Sequence, residues 1–166
     1  MLSSEWRSST DRDLSTINRE LAIQFAKHSS IEVSVYLPQC SEEDRNYAAS
    51  HAVRLVVAET LTGYMNPTEC LMVVPDGHVM DCVVGHGVTL GKQVQVIRKH
   101  HHCKWIQVVH TAPEEHVMYK SISQGEQMQQ TEVALCKKAD QVVAIGSKLT
   151  DAYKRHLRCC QKSKMF

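Results

Sequence analysis

The chain has 166 residues, 43% apolar and 22% charged, enough for one soluble domain with its own core. Its formal charge of +1 gives no reason to expect nucleic acid or an anionic membrane as partner. No apolar run approaches the roughly 20 residues that span a bilayer, and Met1-Leu-Ser-Ser-Glu-Trp6 lacks the basic and apolar regions of a signal peptide.

Met1-Leu-Ser-Ser4 is too short for a full buried strand, so the chain is expected to begin inside a clipped first strand. The polar loop Ser8–Asp13 follows and can cap a helix striped by Leu14, Ile17, Leu21 and Phe25. Ile31 to Leu37 is β-branched and strand-like, and Pro38 ends it. Ser41-Glu-Glu-Asp44 opens a short helix with acids in its first turn, where the dipole favours them. Val53 to Val57 is the next strand. Residues 58–78, with Gly63, Pro67, Pro75 and Gly77, read as a long loop containing at most one helical turn. Cys82-Val-Val84 is a short buried strand, and Leu90, Val94 and Ile97 stripe the helix after it. Trp105 to Val109 is a strand. Met128, Thr131, Leu135, Cys136 and Ala139 define one face of a long helix. Gln141 to Ile145 is the last strand, and Leu149, Ala152, Tyr153 and Leu157 stripe the last helix. Residues 159–166 show neither pattern and are expected to fray.

Alternating strands and helices imply right-handed crossovers and a mainly parallel sheet. The expected fold is α/β, a three-layer Rossmann-like sandwich over residues 1–158. In such sheets the carboxyl ends of the strands face one crevice, where ligands bind. Three apolar runs break into loop-forming residues there: Asp81 to Gly87, Ile106 to Glu115 and Ala139 to Ser147. His86, His110 and Ser147 should therefore share one edge with the loop Ser8–Asp13.

These residues resemble the N-terminal domain of family-four glycosyltransferases, retaining enzymes with two facing Rossmann-like domains. The resemblance runs from about Leu2 to Arg158. It is carried by Leu2-Ser-Ser-Glu-Trp6 and by Leu14 to Leu21. Asp81 to Gly87 is similar to the family's Asp-x-x-x-x-His-Gly strand end, and Val108-Val-His-Thr111 to its later strand ending in histidine. Glu132, Ala139-Asp140 and Gly146-Ser147 are similar to its "Glu…Ala-Asp-x-Val…Ser" signature. The resemblance implies an acceptor-side domain that closes over a nucleotide-sugar donor and a glycosyl acceptor. It implies His110 as the catalytic contact to the donor sugar, with His86, Ser15, Ser147 and Asp13 as substrate-binding positions. No cofactor, metal, nucleic acid or membrane span is implied, and a chain lacking its partner domain is expected to self-associate.

Two departures bear on that reading. The family's Gly-Gly pair lets the backbone approach a diphosphate; Arg12-Asp13, preceded by Asp11, stands in its place. The donor-binding C-terminal domain, with its paired glutamates, has no counterpart in these residues. The chain is therefore expected to be inactive alone, as a fragment or a degenerate copy. The alternative is a non-catalytic interaction or sensor module on the same scaffold, since fold does not fix function. A dinucleotide-dependent oxidoreductase lacks its G-x-G-x-x-G after the first strand.

Other clusters have plainer explanations. Consecutive residues His100-His-His102 point in different directions, whereas structural zinc sites use spaced pairs. As basic groups they complement a helix C-terminus. Glu114-Glu115 suit a first helical turn, and Asp11 with Asp13 a capped, solvated loop. Seven scattered cysteines read as reduced thiols in the cytoplasm. Cys136 has no adjacent base, and Cys159-Cys160 lie in the tail.

Overall fold

The computed structural model describes residues 1–7, 14–59, 66–112, 122–157 and 164–165. They fall into two compact units, Met1–Val79 and Met80–Phe166.

The first unit contains α1 (Leu14–Ala26), β1 (Val33–Leu37), α2 (Glu42–Ser50) and β2 (Val53–Val57). A 3-10 helix, Pro67–Met72, is the single helical stretch described between residues 58 and 79. β1 and β2 pair in parallel, from Val33 opposite Val53 to Leu37 opposite Val57. On the free edge of β1, Leu2 bridges Tyr36 in parallel. Two backbone bonds fix it: Ser3 N to Tyr36 O at 3.0 Å and Tyr36 N to Met1 O at 2.8 Å. The opening residues thus take the strand-like place expected of them.

α2 starts as its sequence dictates. Ser41 Oγ accepts from the Asp44 amide at 3.1 Å, and Asp44 Oδ2 accepts from the Ser41 amide at 3.1 Å. The turn out of α2 passes through Ala52 at φ 58°, a left-handed conformation that costs a Cβ-bearing residue. Trp6, Ala22, Ile23, Val35, Leu37, Val53 and Leu55 form the core of this unit. Burying each Val, Leu or Ile there contributes roughly 1.5–3 kcal/mol.

Among the described residues the second unit alternates strand and helix: β3 (Cys82–His86), α3 (Gly87–His100), β4 (Lys104–Val109), α4 (Ile122–Lys138), β5 (Gln141–Ala144) and α5 (Ser147–Leu157). A two-residue strand, β6 (Lys164–Met165), follows within the segment whose sequence carries no strand signal. The sheet order is β3-β4-β5-β6, and every pair is parallel. Val83 through His86 are all buried, as are Gln107 through Val109, the continuous pattern of strands covered on both faces.

α3 lies close to the sheet because two glycines permit it. A Cβ on Gly85 would meet Val94 Cγ2 at 2.7 Å, and one on Gly91 would meet Gln107 Oε1 at 2.7 Å. β3 therefore runs on to His86, two residues beyond the apolar run Cys82-Val-Val84. All strand pairing is parallel, as expected, and falls into two sheets, one in each unit. The architecture is a Rossmann-like α/β fold.

Candidate functional site

The site grows from two strand ends in the second unit. β3 finishes at His86 and the chain enters α3 through Gly87, whose φ of 58° suits a residue without Cβ. His86 is the N-cap of α3, yet its side chain makes no capping bond. It turns toward β4 instead. His86 Nδ1 lies 2.8 Å from His110 Nε2. The rings stack with centroids 5.1 Å apart and planes 13° apart.

His86 is 1% exposed, whereas His110 is half-buried. Burial, reinforced by the neighbouring His110, lowers the His86 pKa to about 3. Burial lowers that of His110 to about 4. Near neutral pH the pair is thus two uncharged imidazoles. The outer nitrogens, His86 Nε2 and His110 Nδ1, are buried and have no hydrogen-bond partner.

The backbone around the pair is tied down by buried polar side chains. Gln107 Nε2 donates to Gly87 O at 2.7 Å, and Gln107 Oε1 accepts from Trp105 Nε1 at 3.2 Å. This links β4 to the start of α3. The Tyr153 hydroxyl lies 2.7 Å from Glu132 Oε2 and 3.2 Å from Thr111 O. Tyr153 and Glu132 are 0% and 1% exposed. Thr111, the residue after His110, is thereby joined to α4 and α5.

Ser147 is exposed and opens α5, directly after Gly146 at φ 96°. His86, His110 and Ser147 all follow or close strands of one parallel sheet, so they share its carboxyl edge. Ser15 lies in α1 of the first unit, buried, with its Oγ unpartnered. Asp13, the rest of the Ser8–Asp13 loop, Glu114-Glu115 and Cys159-Cys160 lie outside the described residues.

Two groups near the edge, Tyr153 and Gln107, were not singled out from sequence, and a third, Glu132, was given no role. Tyr153 read only as one apolar position of a helix stripe. Glu132 read as a signature residue without a role. Gln107 did leave a signal, a lone amide in a strand that is otherwise apolar from Trp105 to Val109. Elsewhere, Cys136 is fully buried, and burial pushes its thiol pKa far up. His100 closes α3 behind Arg98 and Lys99, where cations complement the dipole. Among the described residues no three His, Cys, Asp or Glu side chains gather in a metal-binding group, and no helix is long and apolar enough to cross a membrane.

Parallel strands, alternating helices and a polar carboxyl edge define a Rossmann-like domain of the kind that builds two-lobed, GT-B glycosyltransferases. The family model "Family 4 Glycosyltransferase in conflict systems" matches residues 1–166, and the chain belongs to that family. A sucrose-phosphate synthase from Thermosynechococcus elongatus is similar in fold, with a TM-score of 0.63 at 15% identity. The match covers 99% of this chain and 46% of that one, so the chain spans about half the length of that protein. No curated protein matches the chain.

Proposed function

We propose that these residues form the acceptor-side lobe of a retaining glycosyltransferase, which moves a glycosyl group from a nucleotide sugar to an acceptor. The match to about half of a two-lobed fold supports this reading. The observation that carries it is the His86–His110 pair at the carboxyl edge, with two ring nitrogens unsatisfied. Buried polar atoms are ordinarily paired; here a substrate hydroxyl supplies the missing partner. His110 makes the contact nearest the reacting sugar. His86 and Ser147, on the same sheet edge, are further substrate-binding positions, and so, within the first unit, are Ser15 and Asp13.

Transfer also requires the donor diphosphate to be neutralised and both substrates aligned. The loop with Asp11 and Asp13 repels a diphosphate rather than binding it, so a second lobe must hold the donor. Residues 1–166 alone bind acceptor and transfer nothing. The lobe works in the cytoplasm, and the surface that would face its partner drives self-association when unpaired.

The test is a histidine-observed NMR titration with simple mono- and disaccharide glycosides. The His110 ring signals should move with at least one glycoside and stay still with a nucleotide sugar. No response to any glycoside would remove the acceptor-side reading.

A further inference from the structure

The formal charge of +1 is the sum of two opposite halves. Residues 1–79 hold six Lys and Arg against 11 Asp and Glu, a net of −5. Residues 80–166 hold 13 against seven, a net of +6. In the second unit much of the excess is localised. Its strands are parallel, so α3, α4 and α5, which run back from them, all end at the amino edge, opposite His86 and His110. α3 closes on Arg98, Lys99 and His100, α4 on Lys137 and Lys138, and α5 carries Lys154, Arg155 and His156 in its last turn. Lys104 opens β4 at the same edge.

Cations at helix ends complement the dipole, but that does not account for the set. α1 and α2 of the first unit have no basic residue in their last turns, and Lys104 opens a strand. The helix ends also lie in a row. α4 contacts both α3 and α5, and Arg98 Nη1 donates to Lys138 O at 2.8 Å. With neighbouring axes about 10 Å apart, the row spans about 20 Å. Lys99, Lys104, Lys137, Lys138 and Lys154 are exposed and make no ion pair among the described residues. Of the described acids, Asp81 and Asp140 lie at this edge, and Asp140 is held by Arg98 and the Trp105 amide.

A row of unpaired lysines suits a stiff polyanion. A nucleic-acid duplex carries one charge per about 1.7 Å of axis, so the row matches about six base pairs. An anionic membrane fits less well, because interfacial sites combine basic residues with exposed apolar ones. Among the described residues, the large apolar side chain exposed in the second unit is Ile145, just past the carboxyl end of β5. A single strand also fits less well, since bases stack on aromatic side chains and both Trp105 and Tyr153 are buried.

We propose that the amino edge of the second unit binds the phosphate backbone of a nucleic-acid duplex without reading its sequence. Lys99, Lys104, Lys137, Lys138 and Lys154 supply the phosphate contacts. This surface is separate from the acceptor site proposed above and does not depend on it.

The experiment is fluorescence anisotropy of a labelled DNA duplex of about 20 base pairs, titrated with the whole chain over a range of salt concentrations. The wild type should bind two duplexes of unrelated sequence equally. Five phosphate contacts predict that log K falls by about 4–5 per decade of salt. Lys137→Gln/Lys138→Gln should weaken binding and lower that slope by about 2. Lys27→Gln/Arg54→Gln removes the same charge from the first unit and should change neither. All four side chains are exposed, so both variants should keep the fold. No binding at low salt would overturn the proposal, as would equal losses in the two variants. Tighter binding to a single strand of the same length, or to phosphatidylserine vesicles or polyglutamate, would overturn it too.

Discussion

The Asp140 carboxylate accepts the backbone amide of Trp105 at 2.8 Å through Oδ2, while Oδ1 lies 3.1 Å from Arg98 Nη2. Arg98 also donates to Lys138 O at 2.8 Å. One side chain of the family signature therefore joins the start of β4 to the ends of α3 and α4. Asp140→Ala strands the Trp105 amide and should destabilise the fold by about 1–3 kcal/mol. Arg98→Ala removes a half-exposed ion pair and a backbone contact, and should cost about 1 kcal/mol or less. Urea unfolding of both variants checks the order; equal costs would show that the amide bond contributes nothing special.

Gly85 sets the distance between β3 and α3. Its missing Cβ leaves room for Val94 Cγ2, which would otherwise sit 2.7 Å away. Gly85→Ala should cost about 1–3 kcal/mol as an overpacked core position. A neutral result by the same unfolding measurement would mean that α3 can shift freely.

Ala52 offers the opposite change. Its φ of 58° penalises a side chain, and the residue is exposed. Ala52→Gly should stabilise by roughly 0.5–1 kcal/mol, the relief of left-handed strain less the added backbone entropy. A lower urea midpoint would show that the turn is not strained.

The histidine pair makes stability depend on pH. Folded pKa values of about 3 for His86 and about 4 for His110 lie below the 6.5 of a free imidazole. In that interval the unfolded chain binds protons that the folded pair refuses, so stability rises with pH. Stability present above about pH 6.5 is lost as pH falls toward 4 and below. The urea midpoint should drop between about pH 7 and pH 4.5, above the range where ordinary carboxylates dominate. The double variant His86→Gln/His110→Gln should flatten that slope. An equal slope in both proteins would place the pH dependence elsewhere.

Much of the fold is legible because β-branched runs and helical stripes are local. Val53-Arg-Leu-Val-Val57 is a strand with the bounds its pattern suggests, and Ser41 to Asp44 encodes its own capping box. The end of β3 was less plain, since Gly85-His86 reads as loop until α3 is seen packed on the glycine. Parallel topology also brings His86 and His110 to one edge. Their contact was not legible: it joins residues 24 apart and depends on the register that sets His86 beside Val108. Tyr153 hid for a similar reason, because an aromatic in an apolar stripe does not announce what its hydroxyl reaches. The division into two sheets leaves no mark either, as β2 and β3 are both short, β-branched runs.

On the function proposed above, residues 1–166 supply an acceptor wall and His110 but no donor site. Titration calorimetry with uridine- and guanosine-diphosphate sugars tests it most directly. The wild-type chain should give no binding heat, and none should appear after Arg12-Asp13 is replaced by Gly-Gly, because the proposed function assigns the donor pocket to another lobe. Micromolar binding by the wild type, lost in His110→Ala, would contradict it and make this chain a donor site in its own right.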